Sequence, residues 1–570
     1  MTDQTPLASS SSSSSSSPAL APAAAPGATH AVFNQVPLLE ANLYAGDQAL
    51  GEAVEGFGGG WARGLLSDYG ARTGGPMLAL GHDANRFPPE LTTHDRYGNR
   101  IDEVRFHPAY HALMAEAVGA GMHSLAWTDP RPGAMVARSA LVYMHCQAEA
   151  GTMCPMTMTF AVVPALKQEP AVAERWLPGV LSTQYDPRAI PAPEKAGLTL
   201  GMAMTEKQGG SDVRANTTRA VRVGEEDGQE VYELTGHKWF CSAPMCDGFL
   251  VLAQTDAGVT CFLMPRRRPD GSRNAMHIQR LKDKVGNRSN ASSEIELRGA
   301  YAVRVGPEGR GVRTIIEMVH HTRLDCALGA SGLMRQALTQ AIHHARHRQA
   351  FGARLVDQPA MRNVLADLAL EQEAGMRMVM RLAHSFEQSG ADPQEQAFAR
   401  IATAVVKYWV CKRAPGFIYE AMECLGGNGY VEESGLPRLY REAPLNAIWE
   451  GSGNVIALDV LRALGREPAT REALAARLMR NRGADARYDA HLDRTLAALG
   501  SNADLEFRAR RLVGDLGLAL AGAELIDHAP ETLAEAWLAS RLGGDHGGFY
   551  GTLPTGTDAE GIISRAAVAA

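Results

Sequence analysis

Gly197-Leu198-Thr199-Leu200-Gly201 marks a change of texture in the chain. Before it, from about residue 37 to 188, apolar residues recur mostly at helical spacing, as in Tyr110-His111-Ala112-Leu113-Met114-Ala115-Glu116-Ala117-Val118. That is the pattern of helices burying one stripe. After it, short β-type runs alternate with turns, at residues 231–234, 248–253, 260–264 and 293–297. Strands this short and this close predict a β-sandwich or barrel. Helical periodicity returns after Gly306-Pro307-Glu308-Gly309-Arg310-Gly311. Residues 314–348 read as one or two long helices, 359–389 as another, and 393–423 as a third broken at Pro415-Gly416. Helices, then strands, then helices describe an α+β chain, not alternating βαβ units.

A length of 570 residues predicts about three or four domains at the usual domain size. The expected division is a Ser/Ala/Pro-rich disordered tail at 1–31, a helical domain at 32–195 and a β-domain at 196–305. A helical cofactor and catalytic domain follows at 306–464, then a further helical domain at 465–570. A net charge of -7 gives no bulk attraction to nucleic acid, so such a role needs a local basic patch. The eight cysteines show no CxxC pair and no zinc spacing, and no metal site is predicted. They read as small buried hydrophobes in a reducing compartment. No apolar run is long enough to cross a bilayer and no secretory signal opens the chain, so a cytoplasmic location is expected.

Five stretches carry candidate chemistry. Thr205-Glu206-Lys207-Gln208-Gly209-Gly210-Ser211 places hydroxyls around a Gly-Gly turn, which can hold a heterocycle edge and a pyrophosphate, or be a decorated hairpin turn. Lys238-Trp239-Phe240-Cys241-Ser242 can wall a flat ring, or be a strand with core aromatics. Arg348, with Phe351 and Gln358 after it, can clamp phosphate, or answer a helix dipole. Leu425-Gly426-Gly427-Asn428-Gly429-Tyr430 permits close approach of a ligand, or caps a helix. In Ile448-Trp449-Glu450-Gly451-Ser452-Gly453-Asn454 an aromatic precedes one carboxylate and can desolvate it, as a catalytic base requires; alone it is a surface turn.

In this order the motifs resemble the acyl-CoA dehydrogenase family over about residues 37–464. The resemblance is closer to its AidB branch, of the adaptive response to DNA alkylation. Arg280-Leu281-Lys282-Asp283-Lys284-Val285-Gly286-Asn287-Arg288-Ser289-Asn290, Thr322-Arg323-Leu324-Asp325-Cys326 and Glu432-Glu433-Ser434-Gly435-Leu436-Pro437-Arg438 add to it. The resemblance implies FAD between the β-domain and a helical bundle, and a homotetramer in which a neighbouring subunit completes the site. Carried over by position, Thr205 would contact the flavin ring and Ser211 the phosphate region, with Phe240, Cys241 and Ser242 along the flavin. Arg348, Phe351 and Gln358 would hold the diphosphate–adenosine end in the adjacent subunit, joined by Gly426 and Gly427. Ile448, Trp449, Gly451, Ser452, Gly453, Asn454 and Leu458 would close over the cofactor. Many members have Trp-Ile-Thr where this chain has Trp239-Phe240-Cys241, so a weak thiol replaces a good donor, with Ser242 as its substitute.

The family chemistry takes a proton α to a thioester and passes the β-hydride to the flavin. Glu450 is the candidate base; Glu206 lies in the cofactor turn, and Arg323 suits electrostatics or structure. The branch implies weak dehydrogenation of acyl-CoA or another small hydrophobic substrate, and sequence-independent binding of double-stranded DNA through the C-terminal domain. That domain has no lysine but carries Arg471, Arg477, Arg480, Arg482, Arg508, Arg510 and Arg511, with Arg462 just ahead of it. Arginine suits phosphate, though such residues also solvate amphipathic helices. The alternative is a metabolic short- or branched-chain acyl-CoA dehydrogenase with no DNA role.

Overall fold

The computed structural model describes residues 26–501 and 503–568, so residues 1–25 of the predicted disordered tail lie outside it. Helices run from Gln48–Gly56 to Pro170–Val180. The first starts at Asp47, whose carboxylate accepts the Leu50 amide at 3.1 Å. Within this helical stretch lies a hairpin that the periodicity did not reveal, β1 (Glu90–His94) and β2 (Arg100–Arg105). Its turn is closed by Asp95, which accepts the amides of Tyr97 and Asn99, and by Gly98 at φ +84°. The hairpin lies against the β-domain, where Arg100 donates to the Ile278 carbonyl at 2.7 Å.

The β-domain holds β3 (Leu200–Ala203), β4 (Arg219–Glu226), β5 (Gln229–Ser242), β6 (Gly248–Thr255), β7 (Gly258–Pro265), β8 (Met276–Leu281) and β9 (Ser292–Val305). The order β6-β4-β5-β9-β7 returns to β6, so the sheet closes on itself, with β3 beside β6 and β8 beside β9. Residues 248–253 and 260–265 are buried on both faces. One face fills the barrel, and the other is covered by the helices Met153–Leu166 and Gly311–His347. That is why these strands read as continuous apolar runs without alternation.

The bundle is built on Gly311–His347, Pro359–Gln388 and Pro393–Glu423. The first is a single helix, and the third runs unbroken through Pro415, against the expected break. Pro415 removes one backbone donor there, but Ala414, Phe417 and Ile418 are buried on either side of it, and that packing holds the helix together. Residues 322–342 are buried without exception, so their polar groups need partners. Asp325 pairs with Arg138, Arg335 with Asp47 at 3.0 Å, and Arg323 with Asp459 at 3.0 Å. The helices Pro468–Met479, Ala486–Gly500, Ala509–His528 and Glu531–Arg541 follow, and Ala559–Ala566 returns to pack on the bundle. One apolar core runs from Leu43 to Ile563, and a second fills the barrel. All eight cysteines are buried and unpaired. No helix among the described residues is long and apolar enough to cross a membrane.

Candidate active site

Glu450 sits in a turn between Leu436–Asn446 and Gly453–Arg466, at φ +58°. A non-glycine residue there costs about 1–3 kcal/mol and persists only if its surroundings over-determine it. They do. Arg323 Nε donates to the Glu450 carbonyl at 2.9 Å, and Lys407 Nζ donates to the carbonyls of Asn446 and Gly451 at 3.0 Å each. Trp449 Nε1 donates to Asn446 Oδ1 at 3.1 Å, while its ring packs against both the barrel core and the bundle core. The turn is therefore pinned at the junction of the two.

Glu450 is half-buried, and burial raises the pKa of its carboxyl. The Thr322 hydroxyl, Lys407 and Arg323 pull the value back. Thr322 Oγ1 lies 2.9 Å from Glu450 Oε2 and 3.0 Å from the Val319 carbonyl. A hydroxyl has one proton to donate and lone pairs to accept. It can donate to the carboxylate, or donate to Val319 while accepting from the carboxylic acid. Both protonation states of Glu450 thus find a partner, as a group that takes up a proton needs. Sequence reasoning missed Thr322 and Lys407 in these roles. Thr322 stands beside the flagged Arg323, and Lys407 is a lone charge in the apolar run Ala404-Val405-Val406-Lys407-Tyr408-Trp409-Val410.

The ends of β5 and β9 bring a second set of groups together. Ser242 Oγ lies 3.3 Å from Ser292 Oγ, which accepts from Lys284 Nζ at 3.0 Å. Burial lowers the pKa of Lys284 to about 8 and pushes the nearby Cys154 thiol up to about 11. The loop carrying Lys284 is latched to the helix Leu436–Asn446: Glu442 accepts the amide and the side-chain nitrogen of Asn287, at 2.6 and 2.7 Å. Phe240 is exposed and Ser242 half-buried, but Cys241 is turned into the barrel. The expectation that the Cys241 side chain lies along a flavin is corrected accordingly: strand alternation withdraws it.

Thr205 is half-buried and Ser211 exposed at the mouth of the barrel. A side chain at Gly210 would come within 2.5 Å of Thr205 Oγ1, so the glycine is what lets the turn fold over that hydroxyl. Glu206 is fully buried and bonded to Lys238 at 2.8 Å and to Thr217, Thr218 and Gln208. Burial alone would raise its pKa, yet these donors hold it far below the ordinary carboxylate range. It is a structural carboxylate.

Arg348 is bonded to the Asn34 carbonyl, and Gln358 Nε2 donates to the Ala350 carbonyl at 3.0 Å. Phe351 stands at the tip of a two-stranded hairpin, 98% exposed at φ +53°. Gly426, Gly427, Ile448, Ser452, Asn454 and Leu458 are exposed, and Gly451 and Gly453 are half-buried. A cavity of about 440 Å³ between the helix Pro108–Gly119 and the barrel end is walled by Phe106, Tyr110, Tyr185 and Met245. It reaches Pro155 and Ala243, the chain neighbours of Cys154 and Ser242.

The C-terminal arginines separate by what they touch. Arg477 is buried and donates to Glu524 at 2.7 and 3.0 Å and to Asn481 at 2.7 Å, so its place among the DNA contacts is withdrawn: its guanidinium is enclosed by carboxylates. Arg508 donates to the carbonyls of Ser501, Ala503 and Ala498. Arg482 pairs with Asp493 at 2.6 Å and Arg462 with Asp459. Arg471 and Arg480 are exposed, as are Arg510, beside the Tyr408 hydroxyl at 3.2 Å, and Arg511, 4.0 Å from Asp515.

Family models match the chain in register with this architecture. They are the N-terminal domain of adaptive response protein AidB at residues 34–187, and the middle and C-terminal domains of acyl-CoA dehydrogenase at 201–300 and 309–465. AidB of Escherichia coli (strain K12) is 48% identical over 513 residues, covering 89% of this chain and 94% of that protein. The chain belongs to the acyl-CoA dehydrogenase family, in its AidB branch. Among solved structures, the apo form of Bd2924 matches with a TM-score of 0.81 at 30% identity, over 88% of this chain and 100% of that one. Caenorhabditis elegans ACDH-11 in complex with C11-CoA matches with 0.82 at 27%, over 90% and 93%. The helical, β and helical parts of this chain are thus the family architecture.

Proposed function

We propose that the chain is an FAD-containing, homotetrameric protein of the DNA alkylation response that acts in the cytoplasm. It binds double-stranded DNA largely without regard to sequence and retains weak α,β-dehydrogenation of acyl-CoA thioesters. The observation that carries the chemistry is Glu450, held on a strained, clamped turn with Thr322 ready for either protonation state.

The residues suit FAD. Exposed Phe240 gives a flat apolar surface on the strand that carries Ser242 and next to Thr205, whose carbonyl accepts the Trp239 amide at 2.8 Å, and Asn290 Oδ1 is a buried acceptor with no donor among the described residues. Thr205, Phe240, Ser242 and Trp449 would hold the ring, and Ser211 the phosphates. Arg348, Phe351, Gln358, Gly426 and Gly427 would serve a neighbouring subunit's cofactor. When bound, the flavin accepts the substrate's hydride. Glu450 takes the α-proton onto its carboxylate, and the Thr322 hydroxyl then turns to the Val319 carbonyl and accepts from the acid. The raised pKa of Glu450 matches this task, since a base works best near the ambient pH. The aromatic cavity at Pro155 and Ala243 would take the acyl group, in keeping with the acyl-CoA bound by ACDH-11.

DNA binding rests on the branch and on the exposed Arg471, Arg480, Arg510 and Arg511. Retardation of a short duplex across a salt series tests it. Binding at low salt that weakens as salt rises supports the reading. No retardation at low salt, or retardation unchanged when Arg480, Arg510 and Arg511 are replaced together by alanine, overturns it.

A further inference from the structure

A cavity of about 640 Å³ lies at the C-terminal end of the helix Gly311–His347, with the helix Ala559–Ala566 as its opposite wall. Its apolar lining is Ile342, Val356, Ile563 and Val568. Arg346, Arg354, Arg362, His343 and His347 also line it, against only two carboxylates, Asp357 and Glu560.

These cations are not equivalent. Arg354 is committed to Asp357 through bonds of 2.7 and 3.0 Å, and Arg362 lies against the carbonyls of Val356 and Asp357 at 3.4 and 3.2 Å. Arg346 is half-buried, and its side chain makes no hydrogen bond or ion pair with any described residue. Burial and the charge of Arg354 both disfavour its charged form. The negative end of the helix dipole accounts for His347, whose Nδ1 meets the His343 carbonyl at 2.8 Å. Arg346 stands in the same last turn and gains from the same dipole, but its side chain bonds none of the terminal carbonyls. A partly desolvated guanidinium without a counter-charge is costly, and an anion in the cavity removes that cost.

We infer that this cavity binds a small phosphate ester of mononucleotide size, its phosphate on Arg346 beside His343 and His347 and its flat apolar group on Ile342, Val356 and Ile563. The volume falls in the range of small-molecule sites and exceeds what inorganic phosphate would fill. The imidazole rings of His343 and His347 lie 4.4 Å apart and both border the cavity, but His347 spends its Nδ1–H on the His343 carbonyl and burial holds His343 towards its neutral form, so the charge that meets a phosphate is that of Arg346. The site is distinct from the cofactor arrangement proposed above, because none of Arg348, Phe351, Gln358, Gly426 and Gly427 lines the cavity. The inference does not depend on that arrangement.

The test is titration calorimetry on the FAD-loaded full-length protein with AMP, adenosine and inorganic phosphate as probes, while flavin absorbance is followed. AMP is expected to bind once per chain and more tightly than either fragment. Arg346→Gln should weaken AMP at least about tenfold, as removal of a charged phosphate partner does, with flavin content and melting temperature unchanged. Ser564→Glu, an exposed position on the cavity wall, should abolish AMP binding by repulsion without touching the core. Absence of AMP binding overturns the inference, as does binding indifferent to both substitutions. AMP binding that releases the flavin also overturns it, because the cavity would then be a cofactor subsite.

Discussion

Thr322 Oγ1 stands 2.9 Å from Glu450 Oε2 and 3.0 Å from the Val319 carbonyl, so one hydroxyl serves the carboxylate and its conjugate acid in turn. Thr322→Val removes a donor that favours the ionised form. The Glu450 pKa, already raised by burial, should climb further. A base works only when ionised, so dehydrogenation by the variant should fall near neutrality and recover at higher pH. The pH–rate profile of flavin bleaching reads this directly; a profile unmoved by the substitution contradicts it.

Asp459 ties the same turn to the bundle. Its pKa lies at about 2: burial alone would raise it, but Arg400, Arg323 and Arg462 overcome that. A folded-state value below that of free aspartate gives stability fully present above about pH 4 and lost as the pH falls through about 2. Asp459→Asn should cost about 2 kcal/mol at neutral pH, with the gap from the wild type closing under acid. Because Arg323 also holds the Glu450 carbonyl, the variant should lose dehydrogenation beyond what its stability explains. Chemical denaturation at pH 7 and pH 3 measures the first effect.

Glu206 and Glu450 should respond oppositely. Glu206→Ala leaves the buried Lys238 ammonium without its carboxylate, at a cost of about 3–5 kcal/mol. Glu450→Gln keeps the shape of a half-exposed side chain and should leave the melting temperature within a few degrees of the wild type. Thermal unfolding of the two variants side by side distinguishes them.

Arg477→Ala should destabilise the C-terminal helices, since it leaves Glu524 buried without its main partner. Alanine at Arg480 or Arg510 should leave stability unchanged and lower the salt slope of DNA binding by about one for each phosphate left without its arginine. If Arg477→Ala weakens DNA binding without lowering the melting temperature, the assignment of Arg477 to structure is wrong.

The α–β–α order was legible because strands 248–253 and 260–264 are short, apolar and bounded by turns. The hairpin at 90–105 was not, because its strands are only five and six residues long and they interrupt a long helical texture. The break expected at Pro415 failed because local propensity lost to packing around Phe417. Glu450 could be found from its neighbours in the chain, whereas its supports could not. Lys407 is 43 positions before it and Thr322 128 positions before it, and only the fold brings them to one turn. The arginines show the converse: composition counts them alike, and burial separates Arg477 from Arg480.

The most direct test of the central claim is anaerobic mixing of the FAD-loaded protein with a panel of acyl-CoA thioesters, followed by flavin absorbance, for wild type and Glu450→Gln. The account predicts slow bleaching by at least one thioester, abolished by the substitution at unchanged flavin content. Bleaching that survives in Glu450→Gln, or a wild-type flavin that stays oxidised across the panel, would contradict it.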